Sequence, residues 1–159
     1  MDSTSRLNAR AASLLPGLAL ALAGLPALAA GPCPPGYTLQ AQVGGQGFRL
    51  ELAANDAARA RGLSHRAGLP ADAGMWFVLP APGKHGFWMK DMAFPIDLVW
   101  IGDDLTVLGT VRLEPCGAYA CPVHYPPAPV SYVLEVNAGA FAGRPGDRAA
   151  WGCARDPED

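Results

Sequence analysis

Apolar and polar residues alternate along several short stretches of this chain, and this period of two is typical of β-strands with one buried face. The first two stretches, Tyr37 to Val43 and Phe48 to Leu52, flank Gly44-Gly45, which predicts a hairpin. Further downstream, Gly102-Asp103-Asp104 is expected to join two more strands as a second hairpin. The later predicted strands cover residues 75–79, 85–90, 96–101, 105–113, 131–136 and 148–151.

Helix signals are few. Asn55 offers a side-chain oxygen as an N-cap, Asp56 stands in the first turn, and Gly62 is a C-terminal stop, so a short helix is predicted over residues 56–61. Residues 137–143 can hold one further helical turn. The pattern therefore predicts a mostly β protein, a compact antiparallel β barrel or roll of seven or eight short strands with one or two short helices.

The N-terminal segment differs from the rest of the chain. Arg6 and Arg10 precede an uncharged Ala/Leu-rich run, and Ala27-Leu28-Ala29 matches a small-x-small cleavage site. We interpret residues 1–30 as a signal peptide and residues 31–159 as a single β-rich domain that is periplasmic or secreted. The alternative is an uncleaved membrane anchor, which the prolines and glycines within the run disfavour.

All four cysteines follow the predicted leader, and an even number in an exported chain indicates disulfides. Three pairings are open. We expect Cys116 to pair with Cys121 across a short loop, and Cys33 with Cys153 to tie the two ends of the domain together. A zinc site made by Cys116, Cys121 and His124 is the alternative, but it lacks a partner pair at finger-like spacing. No metal is therefore expected.

Charged residues are scarce, at 16% of the chain, and the formal net charge is −2. A slightly acidic chain offers no basic face to phosphates, so nucleic acid is not expected as a partner. The chain also lacks the nucleophile elbow, the phosphate-binding loop and the dinucleotide-binding glycine pattern of common enzyme classes. We therefore expect no cofactor and no catalytic residues of those kinds.

Six short motifs occur in an order and spacing that closely resemble domain-of-unknown-function family 192. They are GLSHR at 62–66, GMWF at 74–77, WMKD at 88–91, PID at 95–97, YVLE at 132–135 and GD at 146–147. The resemblance covers residues 37–151. It implies a small β-rich domain of a kind that bacteria and archaea often export, and it implies no established activity.

Asp97 stands inside an apolar run, on the strand face shared with Val99 and Ile101. Burying an ionised carboxylate in such a place costs on the order of several kcal/mol unless it is paired or hydrogen-bonded. Arg66 and Lys90 are the expected partners. Two roles stay open for Asp97, a buried clamp that holds a loop onto the sheet and a carboxylate within a ligand pocket.

Trp88 and Lys90 share one predicted strand face above Gly86. An aromatic ring beside a cation is typical of a cleft that takes a polar ring or an anion, although Trp88 would alternatively fill the barrel interior. Glu135 lies in an apolar strand like Asp97, and two carboxylates facing each other would suit acid–base hydrolysis.

The leading hypothesis is an exported, disulfide-bonded, non-catalytic domain that binds a small polar ligand, such as a saccharide or a carboxylate, or docks onto an envelope protein. Its predicted ligand-binding residues are Arg66, Trp88, Lys90 and Asp97. A membrane partner is expected only if the leader stays uncleaved. The two alternatives are a hydrolytic enzyme with Asp97 or Glu135 as acid or base, and a purely structural module.

Overall fold

The computed structural model describes residues 32–117 and 120–155, so the predicted signal peptide at residues 1–30 lies outside the described residues. The described part contains seven strands and one short helix, which confirms the mostly β prediction. In chain order the elements are β1 (Tyr37–Val43), β2 (Gln46–Ala53), α1 (Asp56–Arg61), β3 (Ala73–Gly83), β4 (Ile96–Ile101), β5 (Val107–Leu113), β6 (Val130–Asn137) and β7 (Ala149–Arg155).

All seven strands belong to one sheet in the order β5-β4-β6-β3-β2-β1-β7. Neighbours are antiparallel except β2 and β3, which run parallel because α1 and its following loop connect them. The two edges of the sheet meet at one end, where Thr106 bridges to Arg148 and the Val107 N–H donates to the Asp147 carbonyl at 2.8 Å. The predicted β roll is therefore confirmed as an open sheet whose edges are joined at one corner.

Helix α1 has the predicted bounds. The Asn55 side chain accepts a hydrogen bond from the Ala58 N–H at 2.9 Å, and Gly62 ends the helix with a φ of 49°. Arg59 donates to the Val78 carbonyl at 2.8 Å, which fastens the helix to β3. A helix this short depends on such contacts with the sheet to persist.

The strand predicted at residues 85–90 is wrong. Within it only Phe87 pairs with another strand-like segment, through two hydrogen bonds with His124. The predicted alternation of buried and exposed side chains is nevertheless present, since Met89 is buried and Trp88 is half exposed. Period-two burial shows which side chains face inward. A strand also needs a neighbour to pair with, and within residues 32–117 and 120–155 no strand runs beside this loop.

The helical turn predicted at residues 137–143 is also wrong. Asn137 completes β6, and a turn follows it. The backbone N–H groups of Gly139 and Phe141 donate to the Asp97 carboxylate rather than to helix carbonyls. The buried carboxylate thus takes the donors that a helical turn would have used.

The sheet separates two hydrophobic cores. Because strand side chains alternate, neighbouring residues such as Met75 and Trp76 lie in different cores. We call the two sides of the sheet the Trp76 face and the Phe77 face. The Trp76 face also buries Val43, Val99, Ile101, Leu134 and Val136. The Phe77 face buries Leu63, Met89, Ile96, Leu98 and Val133 beneath α1 and the β3–β4 loop.

Both predicted disulfides are confirmed. Cys33, just before β1, is bonded to Cys153 in β7, and Cys116 is bonded to Cys121 in the loop after β5. The zinc alternative fails because both of its cysteines are already bonded to each other. None of the helices within residues 32–117 and 120–155 has the length and apolar character needed to cross a bilayer.

Candidate functional site

Glu135 is a buried carboxylic acid on the Phe77 face of the sheet, at the centre of β6. Its strand neighbours are Met75 on β3 and Leu98 on β4, and it is 6% exposed. Burial raises the pKa of Glu135 to about 8, although the positive charge of Arg66 acts to lower it. No residue of the described part of the chain makes a hydrogen bond or an ion pair with this carboxyl group.

A pocket of about 240 Å³ opens on the Phe77 face, and Glu135 forms part of its wall. The pocket lies between α1, the end of β3 and the loop that precedes β4. Arg59, Arg61, Ser64 and His85 are its other polar lining residues. Its apolar lining is formed mainly by Leu63, Phe77, Leu79, Phe87, Trp88, Met89, Met92 and Ile96. The site is thus an apolar cavity with one buried acid and several cationic or neutral polar groups.

Gly62 keeps this cavity open at the end of α1. A Cβ atom there would lie 3.4 Å from the Phe77 ring and 3.8 Å from Oε2 of Glu135. The positive φ of Gly62 also disfavours any side chain. The glycine that ends the helix therefore also leaves space above the Glu135 carboxyl group.

Aromatic residues form one side of the pocket. Phe87 stacks edge-to-face on Phe77 and on Trp100, with ring centroids 5.3 Å and 5.4 Å apart. Trp88 is 50% exposed and lies at the opening, so it does not fill the interior. Phe87 is thus packed between two buried rings, which stabilises its position in this wall.

A second, smaller cavity of about 200 Å³ adjoins the opening, and we call it the rim recess. Its polar lining residues are Arg61, Ser64, His65, Lys90 and Asp91. Trp88 and Ala60 complete its lining, and both of them also line the pocket, as do Arg61 and Ser64. The pocket and the rim recess therefore share one wall.

Two loops hold the rim recess in place. Ser64 donates to the Lys90 carbonyl at 2.9 Å, and the His65 N–H donates to the Asp91 carbonyl at 2.8 Å. His65 and Asp91 both have φ in the left-handed region, at 64° and 57°. Non-glycine residues adopt this conformation at some energetic cost, and such residues are frequent at functional sites.

Arg66 lies between two carboxyl groups. Glu51, Met75 and Glu135 are direct cross-strand neighbours on β2, β3 and β6, so the two acids occupy one row of the Phe77 face. Arg66 makes a two-pronged ion pair with Glu51, with Nη2 to Oε2 at 2.7 Å, and it attracts Glu135 electrostatically. Its hydrogen bonds lower the pKa of Glu51. Arg66 itself does not line the pocket.

Asp97 has a complete set of partners on the Trp76 face. Its carboxylate accepts from Arg112 Nε at 2.9 Å, from the Gly139 N–H at 2.7 Å and from the Phe141 N–H at 3.5 Å. Only 4% of its side chain is exposed. Asp97 thus joins β4 to β5 and to the turn after β6.

The predicted partners of Asp97 are therefore wrong. We expected Arg66 or Lys90, whereas the ion pair is made by Arg112. The reason is strand register, because antiparallel pairing places Arg112 directly opposite Asp97. Arg66 and Lys90 belong to loops that cover the other face of the sheet.

The two buried acids do not face each other. Asp97 lies opposite Val136 and Leu98 lies opposite Glu135, so alternation sends the two carboxyl groups to opposite sides of the sheet. The paired-carboxylate arrangement considered from the sequence is absent from the described residues.

Comparison with known proteins identifies the family. The family model DUF192, described as "Uncharacterized ACR, COG1430", matches residues 39–151. The chain belongs to the DUF192 family. All residues that line the pocket and the rim recess lie within the matched range, and no curated protein matches the sequence.

Two solved structures resemble this DUF192 chain. One is a protein of unknown function from Novosphingobium aromaticivorans DSM 12444, with a TM-score of 0.64 and 31% identity over 70% of this chain and 84% of the other. The second, from Sinorhizobium meliloti 1021, is provisionally described as a transcription regulator. It has a TM-score of 0.64 and 27% identity over 72% of this chain and 92% of the other. The family and its fold are thus shown, without an assigned activity.

Of the four residues predicted as ligand-binding, the structure brings Trp88 and Lys90 together at the rim recess. Arg66 lies near the pocket but is engaged by Glu51, and Asp97 lies on the opposite face. Ligand binding by these residues remains a prediction.

The sequence pattern does not mark Arg61 or Ser64 as pocket-lining, because a residue at the end of a short helix or in a loop carries no such signal. His85 is expected from the sequence to be a solvated loop histidine, whereas it lines the pocket. Glu135 did carry a signal, an acid within an apolar strand. Asp97 carries the same signal, and only the tertiary contacts distinguish the two.

Proposed function

We propose that this DUF192 domain is an exported, non-catalytic ligand-binding module whose pocket takes a compact molecule with an apolar body and a hydrogen-bonding group. The observation that carries the proposal is Glu135, a carboxyl group only 6% exposed that lines the pocket and makes no hydrogen bond with the described residues. Burying an unpaired polar group costs on the order of a few kcal/mol, so a protein that keeps one has a use for it. A ligand in the pocket would supply the missing partner.

The pocket walls support a ligand that is more apolar than the saccharide considered from the sequence. Phe77, Leu79, Phe87 and Met92 surround the cavity, and small-molecule sites typically combine such walls with a few polar groups that fix orientation. A neutral carboxylic acid offers both a donor and an acceptor. Glu135 would thus orient one polar group of the ligand within an otherwise apolar cavity.

The acid–base alternative has less support. Glu135 is the one carboxyl group among the described pocket-lining residues, and Asp97 lies across the sheet. Hydrolysis by paired carboxylates needs two acids in one site, flanking the bond that is cleaved. Binding without turnover therefore fits the arrangement better.

Two disulfides support the exported location. Disulfides persist in oxidising compartments such as the periplasm, and both bonds in this chain are compatible with a periplasmic or secreted protein. The predicted leader points to the same compartment.

Docking onto an envelope protein is a second candidate, and one observation favours it. Trp88, Val123 and Tyr125 are large, exposed and apolar, and the Val123 and Tyr125 side chains lie directly against Gly86 at the pocket opening. Exposed apolar groups that cluster in this way mark interaction surfaces. The same residues would also flank a ligand in the pocket, so an experiment must separate ligand binding from docking.

The test is ligand-induced thermal stabilisation of the purified protein, with both disulfides intact, across a library of small metabolites. We expect compact molecules with an apolar body to raise the melting temperature. Leu79→Trp, which places a larger side chain in the pocket wall, should abolish this response. Glu135→Met, which removes the hydrogen-bonding group at similar side-chain length, should weaken ligand affinity about tenfold, as for a lost buried hydrogen bond. Glu114→Met, at an exposed acid away from the pocket, is the matched control and should leave the response unchanged.

A library in which no compound stabilises the wild type would contradict the proposal, and so would compounds that stabilise Leu79→Trp equally well. Docking would instead be supported by cross-linking to one envelope protein that depends on Tyr125 and is unaffected by Leu79→Trp.

A further inference from the structure

The rim recess differs chemically from the pocket beside it. The pocket is walled mainly by apolar side chains, whereas the recess brings together the side chains of Arg61, His65 and Lys90 with one acid, Asp91. Arg61 and Trp88 line both cavities. A molecule that fills the pocket would therefore place its outer end beside these cations.

The cations of the rim recess are not neutralised within the described part of the chain. Neither Arg61 nor Lys90 makes an ion pair there, and the Asp91 carboxylate lies 3.9 Å from Nε2 of His65. By contrast, the neighbouring cations Arg59 and Arg66 are paired with Asp56 and Glu51. In an acidic chain with few charges, two unpaired cations at one opening form a local positive site.

The backbone segments that carry these two cations are held together by hydrogen bonds. Arg61 ends α1, and Lys90 is joined to the segment after α1 because its carbonyl accepts from the Ser64 hydroxyl. The adjoining hydrogen bond between His65 and Asp91 closes the same junction. The backbone of the rim recess therefore loses little conformational freedom on binding, which favours affinity.

Resting on the proposed binding function, we infer that the ligand is an amphipathic anion, whose apolar body fills the pocket and whose anionic group lies at the rim recess against Arg61 and Lys90. An amine of the same shape would meet two like charges there. Because burial keeps Glu135 largely protonated at neutral pH, the inner acid adds little repulsion against an anionic ligand. The two cavities thus select for opposite ends of one molecule.

The experiment compares octanoate, octylamine and octanol, which share an apolar body and differ in the charge of the head group. Binding to the purified protein with intact disulfides is measured by titration calorimetry. Octanoate should bind about tenfold more tightly than octanol, since two partly exposed ion pairs contribute roughly threefold each. Octylamine should bind more weakly than octanol. High salt should weaken the octanoate complex and leave the octanol complex unchanged, because salt screens the attraction between opposite charges.

Variants that each remove one positive charge test whether the carboxylate of octanoate lies in the rim recess. Arg61→Gln and Lys90→Gln should each weaken octanoate binding about threefold and leave octanol binding unchanged. Lys84→Gln is the matched control, because Lys84 is an exposed cation that lines neither cavity, and it should change neither affinity.

The inference fails if octylamine or octanol binds at least as tightly as octanoate, or if octanoate binding is indifferent to both substitutions. In either case the proposed binding function stands, because at least one of the three compounds still binds. A wild-type protein that binds none of the three compounds contradicts the inference, whereas the proposed function is contradicted only if the metabolite library also yields no stabilising compound.

Discussion

Asp97 and Glu135 are two buried acids on adjacent strands, one residue apart in register, yet their surroundings are opposite. Asp97 is held by an arginine and two backbone N–H groups on the Trp76 face. Glu135 faces a cavity on the Phe77 face and has no hydrogen bond from the described residues. The same kind of side chain in the same kind of strand thus has two different environments.

The difference supports a structural role for Asp97 and, under the proposed function, a ligand-binding role for Glu135. A buried acid whose acceptors are all used stabilises the contacts that satisfy it, and it has nothing left to offer a ligand. A buried acid without partners lowers stability and keeps its hydrogen-bonding capacity for another molecule. Natural proteins depart from the rules of packing and polar satisfaction mainly at functional positions, and Glu135 is such a departure.

The largest expected effect comes from Glu135→Gln at alkaline pH. The folded carboxyl group holds its proton up to a pKa of about 8, while the unfolded one loses it near 4.5. The folded state therefore binds more protons between these values, and the free energy of unfolding of the wild type falls as the pH rises through this window. The neutral amide does not titrate, so the variant should be more stable than the wild type by up to about 5 kcal/mol above this window.

Denaturant unfolding of both proteins at about pH 5 and about pH 9 checks this linkage. The two should differ little at the lower pH and most at the higher one. Parallel pH profiles for the two proteins would show that Glu135 is ionised in the folded state and would remove the contrast with Asp97.

Asp97→Asn should lower the stability of the protein, whereas Glu135→Gln should raise it at alkaline pH. The amide keeps one acceptor oxygen, but its NH₂ group would face the N–H donors of Gly139 and Phe141 and the Arg112 guanidinium. Breaking a buried charged network typically costs about 2–4 kcal/mol, and we expect a loss of unfolding free energy in that range. Denaturant unfolding at neutral pH measures it, with the exposed Glu114→Gln as control. A loss no larger than that of the control would mean that Asp97 is not a structural clamp.

Arg112→Gln should lower the free energy of unfolding by less than Asp97→Asn does, because more than half of the Arg112 side chain is exposed and water already screens the pair. The Asp97 carboxylate keeps its two backbone donors in this variant. Unfolding of the single variants and of the double variant with Asp97→Asn gives the coupling between the two residues. Strictly additive losses would contradict the ion pair.

Arg66→Gln should have the smallest effect, about 0.5 kcal/mol at neutral pH. It removes a partly exposed cation that lowers the pKa of Glu135, so the pKa of Glu135 should rise further. The free energy of unfolding of the variant should therefore keep falling up to a higher pH than that of the wild type. Unfolding across a pH series measures the shift, and Arg144→Gln, which is exposed and not near Glu135, should leave the profile unchanged.

Much of the local structure follows from local signals. The Asn55 cap and the Gly62 stop define α1 to the residue, and Gly44-Gly45 defines the first hairpin. The buried run of β4 has the predicted bounds as well. These features depend on contacts within a few residues, which a sequence displays directly.

The candidate site depends on contacts that are distant in sequence. The parallel pairing of β2 with β3, the position of Arg112 opposite Asp97 and the shared wall of the two cavities all arise from strand order. Residue alternation shows that 85–90 has an inner and an outer side, but it does not show that the segment lacks a strand neighbour. For this reason the predicted strand there is wrong although the burial of Met89 agrees with it.

By itself, the sequence determined the β-rich class, the short capped helix, the two disulfides and the presence of acids inside apolar strands, because each is encoded in spacing or composition. Only the tertiary structure decided which acid would be satisfied. That outcome depends on which strand lies beside which, since a neighbour's register supplied an arginine and free backbone donors to Asp97 and left Glu135 facing an open cavity.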